Sequence, residues 1–257
     1  MGGNIAIIGG TGMGELPEEI FAEPVEVQTR HGVTRVLSVS NNYVEPYKLY
    51  FMARHGAGHR LAPHQIDYRA NIAALVALEV RYVYATNAVG SLRLDLPPGD
   101  LMVLNDFIDV TRGRSLSYFE EGDAWQHTDF SSPYSSFLRA KLIETAIQTG
   151  ISVREAGTYL CCDGPRFESP AEVRLFGSWG ADVVGMTGLP EAIFAREAGL
   201  EYAALAIVTN YGAGLTSEAV DHQAVEAAMA NRISLVRELL MMTCGAAIEA
   251  VERGETV

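Results

Sequence analysis

With 257 residues and a formal net charge of -13, the chain is long enough to bury a sizeable core, and its acidic balance argues against nucleic-acid and anionic-membrane partners. An apolar share of 48% and a charged share of 20% are those of an ordinary globular protein. The three cysteines, an odd number with Cys161 and Cys162 adjacent, make no disulfide framework and suit a reduced cytoplasm, and the N-terminus carries no basic, cleavable leader or membrane span.

Asn4 to Ile8 is a short apolar strand feeding Gly9-Gly10-Thr11-Gly12-Met13-Gly14. Glycines after a strand let backbone N–H groups approach an anion, but Glu15 breaks the dinucleotide spacing, so a phosphate contact and a plain tight turn both remain open. Val36 to Ser40 and Leu49 to Ala53 read as strands around a polar turn at Asn41 and Asn42. Then Arg54, His55, His59, Arg60 and His64 form a cationic, imidazole-rich island. Its spacing does not suit zinc, whereas the planar donors of Arg54 suit an anion. His59, Arg60 and His64 are expected to cap the next helix or face a neighbouring subunit. Pro63, followed by Tyr68, Ile72, Leu75 and Val76 at helical spacing, marks that helix.

Arg81 to Thr86 is a β-rich run expected to end in a small-residue loop, Asn87-Ala88-Val89-Gly90-Ser91. Leu101 to Leu104 is another strand, and Thr111 to Thr128 a long functional or subunit-contact loop. Ser132 is placed to cap a helix carrying Leu138, Leu142, Ile143 and Ile147 and ending at Gly150. Tyr202 to Thr209 is the last strand, with Asn210-Tyr211-Gly212 after it, and one long helix is expected from Glu218 to about Ala250. No repeat or linker interrupts the chain, so a single domain over residues 1–257 is the economical count.

The densest stretch is Gly157 to Glu197. It holds strands at Thr158 to Cys162 and Asp182 to Gly185, a Gly-Pro-Arg-Phe-Glu turn, and a Met-Thr-Gly loop opening a helix at Pro190. Open α/β sheets build ligand sites at the carboxyl ends of strands. Phe167 offers an aromatic face, Glu168 a carboxylate, and Met186 with Thr187 an apolar contact beside a hydroxyl. That set suits a purine joined to something polar.

In order, GGTG, RHG, NAVGS, GPRFES, GMTGLPEA and TNYG resemble the trimeric purine nucleoside phosphorylase and methylthioadenosine phosphorylase family, from about Ile5 to the C-terminal helix. The resemblance implies a single α/β domain with a central mixed β-sheet flanked by helices. It also implies a homotrimer, which can double to a hexamer, and no metal or organic cofactor. The implied partners are a purine nucleoside and inorganic phosphate, the latter attacking the anomeric carbon. Thr11, Arg54, His55, Asn87, Ala88 and Thr187 then resemble the phosphate-binding set, although the methylthioadenosine branch usually has Thr at Asn87. Phe167 and Met186 resemble base and ribose contacts.

Hydrogen bonding separates the purines. Glu168 accepts from the N1–H of a 6-oxopurine and repels the N1 lone pair of adenine, while Asn210 donates to O6 and accepts from a proton at N7. The adenine-selective branch resembles this chain but has Ser at Glu168 and Asp at Asn210 and Gly212. Mismatched buried polar groups can discriminate by about 10⁴-fold, on the order of 5 kcal/mol. At the 5′ end, His222 resembles a contact to the 5′-hydroxyl, and His127 a residue that reaches the 5′ pocket across a subunit interface in the methylthio branch. Inosine and guanosine lead, with 5′-methylthioinosine next and 5′-methylthioadenosine behind it. A dinucleotide-binding oxidoreductase, a cysteine hydrolase using Cys161 or Cys162, and a catalytically silent purine-binding protein are the readings from other classes.

Overall fold

The computed structural model describes residues 3–13, 16, 20–40, 44–217, 222–230 and 232–255, without the side chains of residues 222–224 and 226. The turn expected at Asn41 and Asn42, and the helix start expected at Glu218, lie outside the described residues. The strands are β1 (Asn4–Gly9), β2 (Ala22–Thr29), β3 (Gly32–Val39), β4 (Leu49–Ala53), β5 (Val80–Ser91), β6 (Leu101–Val103), β7 (Asp106–Asp109), β8 (Thr158–Cys161), β9 (Val183–Gly185) and β10 (Glu201–Tyr211). The helices are α1 (Tyr68–Ala77), α2 (Ser136–Thr149), α3 (Pro170–Ser178), α4 (Glu191–Glu197), α5 (His222–Ala230) and α6 (Ile233–Glu252).

All strands join one mixed sheet in the order β2-β3-β4-β1-β5-β9-β8-β7, with β10 on the other side of β5 and β6 beyond it. β5 is the spine. Alternation along it sends Val83 and Ala85 to one core, under α1 and α4, and Tyr82 and Tyr84 to the other, under α2 and α6. A smaller cluster of Leu92, Leu160, Val173 and Phe176 packs beneath α3. This is the single-domain α/β arrangement with flanking helices that the resemblance implies.

Four local expectations are revised. The small residues Asn87 to Ser91 form no loop: β5 runs through them, paired to Ala206 through Tyr211 of β10. Asn210 likewise sits inside β10 rather than in a turn, beside a register shift after Val208. The cap of α2 is Ser135, whose hydroxyl accepts from Leu138 N–H at 3.3 Å, three residues after the expected Ser132. The long C-terminal helix is two helices, α5 and α6. In keeping with the dinucleotide spacing broken at Glu15, the next elements after β1 among the described residues are the antiparallel strands β2 and β3 rather than a crossover helix.

Candidate active site

The sheet forks at β5. β1 pairs with it up to Ala85, while β9 joins the same side only at Gly90 and Ser91. Thr86 to Val89 therefore lack a strand neighbour on that side, and ligand crevices form where strands diverge in this way. Three segments enter the gap: Gly10–Thr11 after β1, residues 54–62 after β4, and Met186–Gly188 after β9. The antiparallel register Gly90↔Val184 carries Thr187 back beside Asn87, whose Nδ2 donates to Thr187 Oγ1 at 3.3 Å. A cleft of about 390 Å³ results.

Thr11, His55, Ala88 and Thr187 line one part of this cleft. His55 is 4% exposed, and its Nδ1 is 2.8 Å from the carbonyl of Leu61, which can only accept. The ring proton is thus on Nδ1, leaving Nε2 as the acceptor. Burial pushes the imidazole pKa down to about 4, a shift that the Leu61 bond opposes and the nearby Arg54 and His59 reinforce. His55 is therefore neutral at neutral pH.

Arg54 departs from expectation. It does not line the cleft but lies behind the glycine loop, at 0% side-chain exposure. Its Nε and one terminal nitrogen each donate to a Glu191 oxygen at 2.7 Å, and the other terminal nitrogen donates to Thr86 O at 2.7 Å. Tyr202 also donates to Glu191, at 2.8 Å. Burial disfavours the Arg54 charge, but the attraction and hydrogen bonds of Glu191 outweigh it and raise the pKa. A Cβ at Gly10 would stand 2.7 Å from this guanidinium and from Thr86 O, so only glycine lets the loop close over the pair.

Phe167, Glu168, Met186 and Asn210 line the rest of the cleft. Burial raises the Glu168 pKa, opposed by its own backbone N–H and reinforced by Glu172. Arg166, two residues away, is committed to Glu172 through bonds of 2.7 and 2.8 Å. Asn210 is held at both ends: Nδ2 donates to Tyr211 O at 2.9 Å, and Oδ1 lies 3.0 Å from the Thr209 hydroxyl.

The remaining expected residues lie elsewhere. Asn87 is 1% exposed beneath Thr187, and its Oδ1 has no hydrogen-bond partner among the described residues. Gly212 is behind the wall, its N–H bound to Ser91 O at 2.7 Å. His127 is exposed, edge-on to Trp125 at a centroid distance of 5.3 Å, and away from the cleft within this chain. The side chain of His222 lies outside the described residues. Conversely, His59, Arg60 and Val225 line the cleft. His59, expected to cap the next helix or face a neighbouring subunit, stacks on His55 at 4.0 Å within this chain. For His59 and Arg60 the signal available in the sequence was their place in the same imidazole-rich island. Cys161 is fully buried, and burial pushes its thiol up to about 11 and that of Cys162 to about 12, so neither supplies a thiolate at neutral pH.

The chain matches the model of the Phosphorylase superfamily over residues 4–242. It is 43% identical over 236 residues to the "Probable 6-oxopurine nucleoside phosphorylase" of Dictyoglomus turgidum, covering 91% of this chain and 88% of that protein. It is also 43% identical over 213 residues to the "Probable S-methyl-5'-thioinosine phosphorylase" of Methanothermobacter thermautotrophicus, covering 82% of this chain and 73% of the other. Methylthioadenosine phosphorylase from Schistosoma mansoni, solved with adenine, superimposes with a TM-score of 0.89 at 30% identity, over 98% of this chain and 92% of that one. A forked mixed sheet, a cleft at the fork and these matches along nearly the whole chain lead to one assignment: the chain belongs to the phosphorylase superfamily, as a nucleoside phosphorylase.

Proposed function

We propose that the chain catalyses phosphorolysis of 6-oxopurine nucleosides, inosine and guanosine foremost, with inorganic phosphate as co-substrate and no cofactor. The reading is carried by one observation: a carboxylate and a carboxamide, Glu168 and Asn210, share a single cleft with Thr11, His55 and Thr187. Glu168 accepts the N1–H of the base. Asn210, with one Nδ2 hydrogen held by Tyr211 O, donates its other hydrogen to O6 and accepts from N7–H through the remaining Oδ1 lone pair. Phosphate sits against Thr11, His55, Ala88 and Thr187. The unprotonated Nε2 of His55 takes the hydrogen bond of the phosphate's own O–H, and Arg54, paired to Glu191, sets the floor under the loop.

As the bond between the anomeric carbon and N9 breaks, its electron pair passes to the purine, which takes up a proton at N7 from solvent, balanced by the proton that monohydrogen phosphate gives up as it forms the ester. A phosphate oxygen then bonds the electron-poor anomeric carbon, giving ribose 1-phosphate. Groups placed for charge that develops only in the transition state supply the largest part of such catalysis. Cytoplasmic residence suits three cysteines that are all free. The working unit is a homotrimer in which His127 reaches a neighbour's cleft. Supporting this, Leu116 and Trp125 leave an apolar stretch exposed at 89% and 69%.

A second reading, 5′-methylthioinosine, is favoured by Val225, an apolar side chain at 7% exposure in the wall of the cleft. A side-by-side assay separates the two, following phosphate-dependent base release from inosine, guanosine, adenosine, 5′-methylthioinosine and 5′-methylthioadenosine. Cleavage of inosine and guanosine is the expected result. Dominance of 5′-methylthioinosine would move the reading to the second substrate, and cleavage of the 6-aminopurines would sink both.

A further inference from the structure

We infer that Tyr159 is a positioning residue for phosphate, acting through Thr187; the inference rests on the phosphorolytic reading of the cleft. Tyr159 belongs to β8, pairs with Val183 of β9 and is fully buried. Its phenol oxygen accepts from the backbone N–H of Thr187 at 3.2 Å and of Gly188 at 3.1 Å. Its own proton goes to Cys161 Sγ, 3.7 Å away, so each hydrogen-bonding capacity of the hydroxyl is used. Burial keeps the phenol protonated by pushing its pKa well above the ordinary value.

The ring also moulds the loop. A Cβ on Gly185 would stand 2.7 Å from the phenol oxygen, and one on Gly188 would stand 2.8 Å from a ring carbon, so both glycines exist to wrap this side chain. The consequence concerns how an anion is held. Successive backbone N–H groups in a loop after a strand can form an anion nest. Here those of Thr187 and Gly188 are turned inward to Tyr159 and unavailable to a ligand. What the loop presents instead is the Thr187 hydroxyl. Asn87 Nδ2 already donates to its oxygen, leaving its proton free for phosphate. Tyr159 thus fixes one directed O–H donor where an untethered loop would offer a diffuse set of amides.

Tyr159→Phe keeps the ring and removes the acceptor. The KM for phosphate is expected to rise on the order of ten-fold, with the KM for inosine changed by less than about two-fold. In a Thr187→Val background, the same substitution is expected to add less than about two-fold, because the two residues act as one unit. Equal rises in both KM values, or additive effects on the phosphate KM, would overturn the inference. Amide hydrogen exchange gives an answer that needs no turnover. In the parent protein the Thr187 and Gly188 amides should exchange as slowly as those of β10, and in Tyr159→Phe at least about ten-fold faster with β10 unchanged. Fast exchange in the parent, or no change in the variant, refutes the role of Tyr159. A parent that releases no base with phosphate refutes instead the reading of the cleft, and the exchange results still decide on Tyr159.

Discussion

Beneath the Gly10–Thr11 loop, a guanidinium and a carboxylate are both fully buried and joined at 2.7 Å, and the neighbouring imidazole of His55 is neutral. At the Phe167 side of the same cleft, Glu168 is half-buried, its pKa raised by burial, and Arg166 is committed to Glu172. The first region has its charges compensated before any ligand arrives. The second holds a carboxylate whose remaining hydrogen-bonding capacity is left for a ligand to satisfy. On the proposed reading, the compensated pair is a rigid floor for the anion, and the carboxylate, bonded to its own backbone N–H and to the Cys162 thiol, keeps capacity to select the base.

The largest test of this contrast is Glu191→Ala. Breaking a buried pair strands the other charge, so a loss of about 3–5 kcal/mol in unfolding free energy is expected by urea denaturation. A loss below about 1 kcal/mol would mean that the floor does not depend on the pair. At the base end, Asn210→Asp replaces the donor to Tyr211 O by an acceptor and should cost about 1–3 kcal/mol of stability, less than Glu191→Ala. It should move the adenosine to inosine ratio of kcat/KM upward by about 10²-fold or more, because the new carboxylate accepts from a 6-amino group and repels O6. An unchanged ratio would remove Asn210 from base reading.

His55 sharpens the comparison through pH. Its folded pKa of about 4 lies below the unfolded value of about 6.5, so the unfolded chain binds the extra proton between them. Stability is fully present above that window and falls as pH drops through it, by up to about 3 kcal/mol. His55→Asn should flatten this acid limb, and parallel loss of Tm between pH 7 and pH 5 in parent and variant would reject the buried neutral imidazole. The smallest effect belongs to Glu168→Gln. A carboxyl whose folded pKa is raised costs stability once pH exceeds the unfolded value, so the variant should melt slightly higher at neutral pH, with the gain fading in acid. The same variant should lose inosine turnover. A higher Tm with unimpaired turnover would separate Glu168 from the base.

Much of this arrangement was legible in the residues themselves. Phe167, Glu168, Met186 and Thr187 follow the carboxyl ends of two short apolar strands, β8 and β9, so sheet logic alone brought them together. Other parts depend on partners far away in the chain. Arg54 reads as an anion ligand because nothing near it reveals Glu191, which lies 137 residues on. Asn87 and Asn210 read as loop and turn residues because small and amide side chains usually break strands, and only the pairing of β5 with β10 keeps them extended. β2 escaped notice because only Val25, Val27 and Thr29 alternate with the exposed Glu26 and Gln28, a short signal that follows Glu23 and Pro24, which read as strand breakers. His59 was read as a cap or a subunit-facing residue, yet at φ 51° the chain turns back on itself and lays the ring on His55.

The fork at β5 also dictates when the site can exist during synthesis. β10 lies alongside Tyr82 to Ser91 but begins 110 residues after Ser91, so a chain emerging from a ribosome holds a long apolar strand without its longest partner while those 110 residues are made. Phe167, Glu168 and Thr187 are all made before Asn210, so no fragment ending earlier has the complete cleft, and an unfinished chain ending before residue 201 would expose the bare flank of β5 to other strands. Such fragments should associate with one another and require holding by chaperones, whereas competence for substrate arrives in a single late step, when β10 docks.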